Sequence, residues 1–147
     1  MTDLLSNSEF VRRLREYEGR LGELEFRWLV FQYCRLYQEV YCFEQLENAF
    51  AYLELTRLDL SEEMSKELSV VRAEVAKAMG EYFESLNEVA AAVYRLLDET
   101  PMTVSDTIAA VGHVWNAHAC NEQVSMFRNR EDMILCGLVA ELVGRVD

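Results

Sequence analysis

The sequence predicts an all-α protein, and three observations carry that expectation. One Pro and six Gly among 147 residues, in a chain that is 51% hydrophobic, leave little material for turns or a sheet. The series Met64, Leu68, Val71, Val75, Met79, Tyr82, Leu86, Val89, Val93 and Leu97 keeps helical spacing, with Glu67, Glu74, Lys77, Glu81, Glu84 and Glu88 on the other face. The third is the stretch TVSDTIAAVGHVWNAHAC from Thr103 to Cys120, which carries no charged residue from Thr107 onward. A helix apolar all round is a buried one, and Ala109, Ala110, Gly112, Ala117 and Ala119 let neighbours approach closely. The expectation is a bundle of about six or seven helices around a central buried helix at about 103–120, with residues 1–147 forming one domain.

Taken in order, Ser6 and Ser8 with Glu9 supply capping chemistry for a first helix. Its apolar face is Phe10, Val11, Leu14, Tyr17 and Leu21, weakened but not ended by Gly19 and Gly22. From Leu24 to Leu55 the chain is helix-like and crowded with aromatics, too many for one face, so this region buries two sides, or buries one and offers the other to a partner. Its length requires a break, expected between about Phe31 and Cys34. Asp59 or Ser61 opens the long amphipathic series, which bends at Gly80 if it bends at all. Pro101 bars continuation into the central segment, where Thr103 and Asp106 stand in capping-box spacing. Asn129 with Asp132 caps a last helix with a buried face of Met133, Leu135, Leu138, Val139, Leu142 and Val143.

Charge and cysteine usage exclude several functions. A net charge of -12 leaves no basic stripe for phosphate, so nucleic acid is not an expected ligand. The central segment spans roughly 27 Å as a helix, but its two His and two Asn argue against membrane insertion. The N-terminus has neither a basic start nor an apolar run, and Cys34, Cys42, Cys120 and Cys136 form no CxxC pair. Reduced thiols in a cytosolic, cytoplasmic protein follow. His113, His118 and Cys120 are the cluster with metal-ligand chemistry, yet the two imidazoles point about 140° apart on a helix. No metal, no cofactor and no catalytic group is expected, and the protein is not read as an enzyme. The row Tyr33, Tyr37 and Tyr41 is read as core ahead of a recognition surface.

Three patterns in order resemble the poxvirus Bcl-2-like family of intracellular immunomodulators. Leu14-Arg15-Glu16-Tyr17 resembles the L-x-E-Y of that family's first helix. Cys34-Arg35-Leu36-Tyr37-Gln38-Glu39-Val40, with Phe43 following, resembles its G-R-L-[YF]-x-E-[IL] in the second helix. Thr103-Val104-Ser105-Asp106-Thr107-Ile108, with Gly112 following, resembles the start of its central fifth helix. The predominance of Arg over the two lysines, Lys66 and Lys77, fits a GC-rich viral genome.

The resemblance implies a Bcl-2-like fold and a non-enzymatic viral protein that binds a host signalling or adaptor protein. Such binding inhibits innate immune signalling on the routes to NF-κB and interferon induction. It also implies two further partners, a second copy joined through the first and last helices, or a pro-apoptotic Bcl-2 homology-3 helix held in a groove. Apoptosis inhibition by groove binding is the alternative, and the absence of an N-W-G-R motif points away from it. An acidic decoy or nucleic-acid mimic is the third reading, motivated by the charge. The working surface is expected on the first helix with the last, at Phe10, Leu14, Tyr17 and Phe127.

Overall fold

The structure, a computed structural model, describes residues 5, 8–37, 44–58, 65–79, 84–98, 100–119 and 124–146. Among these the helices are α1 (Glu9–Glu16), α2 (Glu23–Arg35), α3 (Glu44–Leu55), α4 (Ser65–Met79), α5 (Glu84–Leu96), α6 (Val104–Ala119) and α7 (Val124–Val146). A 3-10 turn at Glu18–Arg20 links the first two, and no described residue is in a strand. The chain is therefore all-α, as composition requires.

The first turn of α1 is capped twice. Ser8 Oγ accepts the Val11 N–H at 3.2 Å, while Asp132 of α7 accepts the N–H groups of Glu9 at 3.1 Å and Phe10 at 2.8 Å. Asp132 thus serves a helix more than a hundred residues away. It does not cap its own helix, because α7 runs without interruption through Asn129 and Asp132 and its amides there are already paired. Replacing Asp132 by Ala is expected to lower stability by about 1 kcal/mol, the usual worth of an N-cap, read from the urea midpoint. A midpoint equal to the parent's would show that Ser8 alone holds α1.

The first helix ends at Glu16, before Gly19 and Gly22 are reached, where the sequence expectation carried it on through both to Leu21. The chain turns through Glu18–Arg20, and Gly22 becomes the N-cap of α2, its N–H donating to Glu25 Oε1 at 2.7 Å. The break expected between Phe31 and Cys34 falls later: α2 continues to Arg35, and Leu36 and Tyr37 turn out of it. The motif that begins at Cys34 therefore straddles a helix end, with residues 38–43 outside the described residues. The long amphipathic series is two helices, α4 and α5, on either side of residues 80–83, so Gly80 itself lies outside the described residues.

Helix α2 buries two sides. Phe26, Leu29, Val30, Phe31, Tyr33 and Cys34 are all buried, because α5, α6 and α7 pack around it. Arg27 is buried with them at 2% exposure. Its Nη1 donates to the Leu96 carbonyl at 2.7 Å, and its Nη2 to the carbonyls of Asp98 at 2.6 Å and Thr100 at 3.0 Å. Glu23 accepts from Nε at 2.8 Å. Leu96 is the last residue of α5 and Asp98 and Thr100 follow it, so a cation sits at the negative end of that helix.

A second polar tie joins α2 to α7. Glu131 has no exposed surface and accepts from the Tyr33 hydroxyl at 2.6 Å and from the Tyr37 hydroxyl. Burial first, then the charge of Glu131, pushes the Tyr33 phenol well above its ordinary pKa, so it stays a donor. Tyr33 is core and Tyr37 half-buried, while Tyr41 lies outside the described residues.

The capping box at α6 forms as its spacing predicts. Thr103 Oγ1 accepts the Asp106 N–H and Asp106 Oδ2 accepts the Thr103 N–H, each at 3.1 Å. The Thr103 N–H is the main reason that the Asp106 carboxyl titrates below its usual range, with Arg95 assisting. A depressed folded pKa makes this cap fully present above about pH 4 and lost as the pH falls through it.

Burial of α6 is less complete than its composition suggests. It packs on α5 along most of its length and touches α1, α2 and α7, burying Val104, Thr107, Ala110, Val111, Val114, Trp115 and Ala117. Ser105 and Ala109 are exposed, and His113 and Asn116 are half-exposed on the same line. Small and weakly polar residues face water cheaply, so a lack of charge does not by itself enclose a helix. The centre of the bundle is shared: α5 packs on α2, α3, α4 and α6, so α2, α5 and α6 together form the middle.

Candidate functional site

A trough follows the seam between α1 and α7. Its larger part, about 650 Å³, is lined by Glu9, Arg13, Asp132, Met133, Cys136, Gly137 and Ala140. It adjoins a smaller hollow of about 300 Å³ toward Tyr17, Val139 and Val143, with Arg13 and Ala140 common to both. The double cap by Asp132 fixes the end of α1 against α7 and so sets the width of the seam.

The α7 side of the trough is apolar, small and open. Met133 is 75% exposed, and Gly137, Ala140 and Gly144 follow it at helical spacing on the same outward line. A Cβ added at Gly137 or Gly144 would meet nothing within 4 Å. Glycine inside an exposed helix costs about 0.5–1 kcal/mol against Ala, and no contact among the described residues needs it there.

The α1 rim is charged but self-neutralised. Arg13 reaches Glu9 at 3.1 Å, and Arg12 pairs with Glu9 and, at 3.3 Å, with Glu16. Hydrogen bonds from Arg12 and then Arg13 lower the Glu9 pKa to about 2, so the pairs persist across the neutral range. Such a rim adds little net attraction for a charged ligand, and exposed pairs of this kind are individually weak.

Cys136, within the trough, is not an activated nucleophile. Burial, and then the Asp132 carboxylate beside it, pushes its thiol up to about 11, so it stays protonated near neutrality. Burial likewise raises Cys34 to about 12. His113 Nδ1 lies 2.8 Å from Glu88 Oε2 across α5 and α6, and the described residues hold no cluster of metal-ligand type. The His118 side chain and Cys120 lie outside the described residues.

The residues expected to form the working surface are placed differently. Phe10 and Leu14 have no exposed surface and belong to the core, because the inner face of α1 is the one pressed on α7 and α6. Tyr17 is half-buried at the smaller hollow, with the Arg20 guanidinium 5.4 Å from its ring centre. Phe127 is on α7, but its side chain lies outside the described residues. Met133, expected on the buried face, is instead the most exposed large residue of the trough. Its phase was legible: positions 133, 137, 140 and 144 keep one helical line, opposite to Leu135, Val139 and Leu142, which are buried.

On the far side of the molecule, the described opening between α3 and α4 is polar, lined by Glu44, Gln45, Asn48, Glu74 and Lys77. Leu46, Ala49 and Phe50 of α3 and Val89, Ala90, Val93 and Leu96 of α5 are core. No described helix is long and apolar enough to cross a membrane. No family model, no curated protein and no solved structure matches the chain, so the family resemblance stands on its three ordered motifs alone.

Proposed function

We propose that this protein is a non-enzymatic interaction module that occupies a host signalling protein and thereby inhibits innate immune signalling. The observation that supports binding is the trough between α1 and α7, with its open, apolar α7 wall of Met133, Gly137 and Ala140. Small residues on an exposed helix let another backbone come close, and an exposed Met adapts to a partner's shape. The all-α bundle is compatible with a Bcl-2-like fold, and the immune target is suggested by the motifs at Leu14, Cys34 and Thr103. The self-paired rim favours apolar contact over charge-driven capture, which separates this reading from an acidic decoy.

The test is a reporter assay in transfected cells. The parent chain is expected to reduce NF-κB or interferon-promoter induction, and Gly137→Arg to lose that effect. Because a side chain at position 137 meets open space, this variant should fold as well as the parent. No reduction by the parent would refute the function, and full activity in Gly137→Arg would remove the trough from it.

A further inference from the structure

The opposite flank of α7 carries an opening of different chemistry. It measures about 280 Å³ and lies among Leu24 and Trp28 of α2, Arg57 and Leu58 after α3, and Leu142 and Arg145 of α7. Leu58 and Leu142 form a buried floor, while Leu24 is 45% exposed and leaves the apolar wall open. The Arg145 guanidinium lies 4.5 Å from the Trp28 ring centre. Glu25, the carboxylate at the opening, accepts the Gly22 N–H at 2.7 Å, and Glu141 pairs loosely with Arg145 at 4.0 Å. Two guanidiniums and one carboxylate line the opening, a local positive excess in a chain whose net charge is -12.

Arg57 reaches this position against backbone preference. The α3 helix ends in a Schellman turn: the Leu58 N–H donates to the Leu53 carbonyl at 3.0 Å and the Arg57 N–H to the Glu54 carbonyl at 3.1 Å. Arg57 thus occupies the site where glycine is usual, at φ 57°, and Leu58 follows at φ 65°. Among the described residues the Arg57 guanidinium has no ion-pair or hydrogen-bond partner. A strained position held by a long cation with nothing to bind among the described residues points to a ligand.

We infer that this opening is a docking site for an acidic segment of a partner protein, one that presents a carboxylate beside an apolar side chain. The carboxylate bridges Arg57 and Arg145, and the apolar side chain fills the hollow against Trp28, Leu24 and Leu142. Local positive charge within an acidic surface gives complementarity, and planar guanidiniums suit carboxylate geometry. The site is separate from the α1–α7 trough and does not depend on it.

The indole N–H resonance of Trp28, assigned with a Trp28→Phe variant, reports directly on the opening. The probe is a pool of capped hexapeptides alternating Asp or Glu with Leu, Ile or Phe, set against a matched pool carrying Asn and Gln. The acidic pool is expected to shift the Trp28 signal saturably and less at high salt, with the amide pool about tenfold weaker. Arg57→Gly and Arg145→Gln should each weaken binding about tenfold, while Arg57→Gly melts at or above the parent temperature because its backbone strain is relieved. An unmoved Trp28 signal, equal binding of the two pools, or full binding by Arg57→Gly would overturn the site. The same shift with inorganic phosphate at equal concentration would make it a small-anion site and overturn the peptide reading.

Discussion

Replacing Arg27 by Met is expected to lower unfolding stability by about 3 kcal/mol, read from urea denaturation. The guanidinium makes four hydrogen bonds, three of them to carbonyls at and beyond the end of α5. Hydrogen bonds to a charged group contribute about 1.5–3 kcal/mol each in isolation, but they share one side chain and are not additive. Breaking a buried charge interaction typically costs about 3–5 kcal/mol, and Met recovers part of that by keeping the apolar stem packed. Arg27→Lys should fall between parent and Met, since one ammonium lacks the planar fork that spans separate carbonyls. A Met variant as stable as the parent would mean that water satisfies the α5 carbonyls and that the guanidinium is not the tie between α2 and the α5–α6 turn.

Trp115→Ala is expected to cost about 3–5 kcal/mol, the range for emptying a large aromatic site in a packed core. Trp115 is 1% exposed and is the largest fully buried side chain on the described chain. Its paired control lies on the same helix. Ala109→Glu, on the outward line with Ser105, should change stability by less than about 0.5 kcal/mol. Thermal melts of the two variants separate the inner from the outer face of α6. A loss of several kcal/mol in Ala109→Glu would mean that α6 is enclosed on all sides after all.

These two experiments probe the same architecture from different ends. Arg27 holds the turn that launches α6, and Trp115 fills the space that α6 was launched into. The seam between α1 and α7 lies outside that middle, which is why it is free to work as a surface. Its candidate residues are consequently small or flexible and are not the large apolar side chains that a sequence reading favours first. Phe10 and Leu14 illustrate the point: aromatic and aliphatic residues on a short amphipathic helix are drawn inward before they are offered to a partner.

Much of the candidate site was nevertheless written in local pattern. The line of Met133, Gly137, Ala140 and Gly144 has a definite phase on α7, and the placement of Met133 on the buried face hid it. Arg57 gave no such signal, because a left-handed position after a helix is recognised by glycine and here the residue is Arg. The carboxylate of Asp132 looked like a cap for the nearest helix, and a helix start beside it was the natural inference.

By itself the sequence determined the all-helical class, the start of α1 near Ser8 and of α6 at Thr103, and the separation of α5 from α6 at Pro101. Those follow from short-range rules, since caps, proline and hydrophobic period act within a few residues. The sequence left the region of α2 with two sides to bury or one to offer, and packing buried both. Only the tertiary structure decided that Asp132 caps α1, that Arg27 closes α5, that α6 keeps an open stripe and that Met133 faces out. Each of those depends on which distant backbone groups and apolar faces meet, and a polar group or a face is satisfied by whatever packing brings within reach, not by its neighbours in the chain.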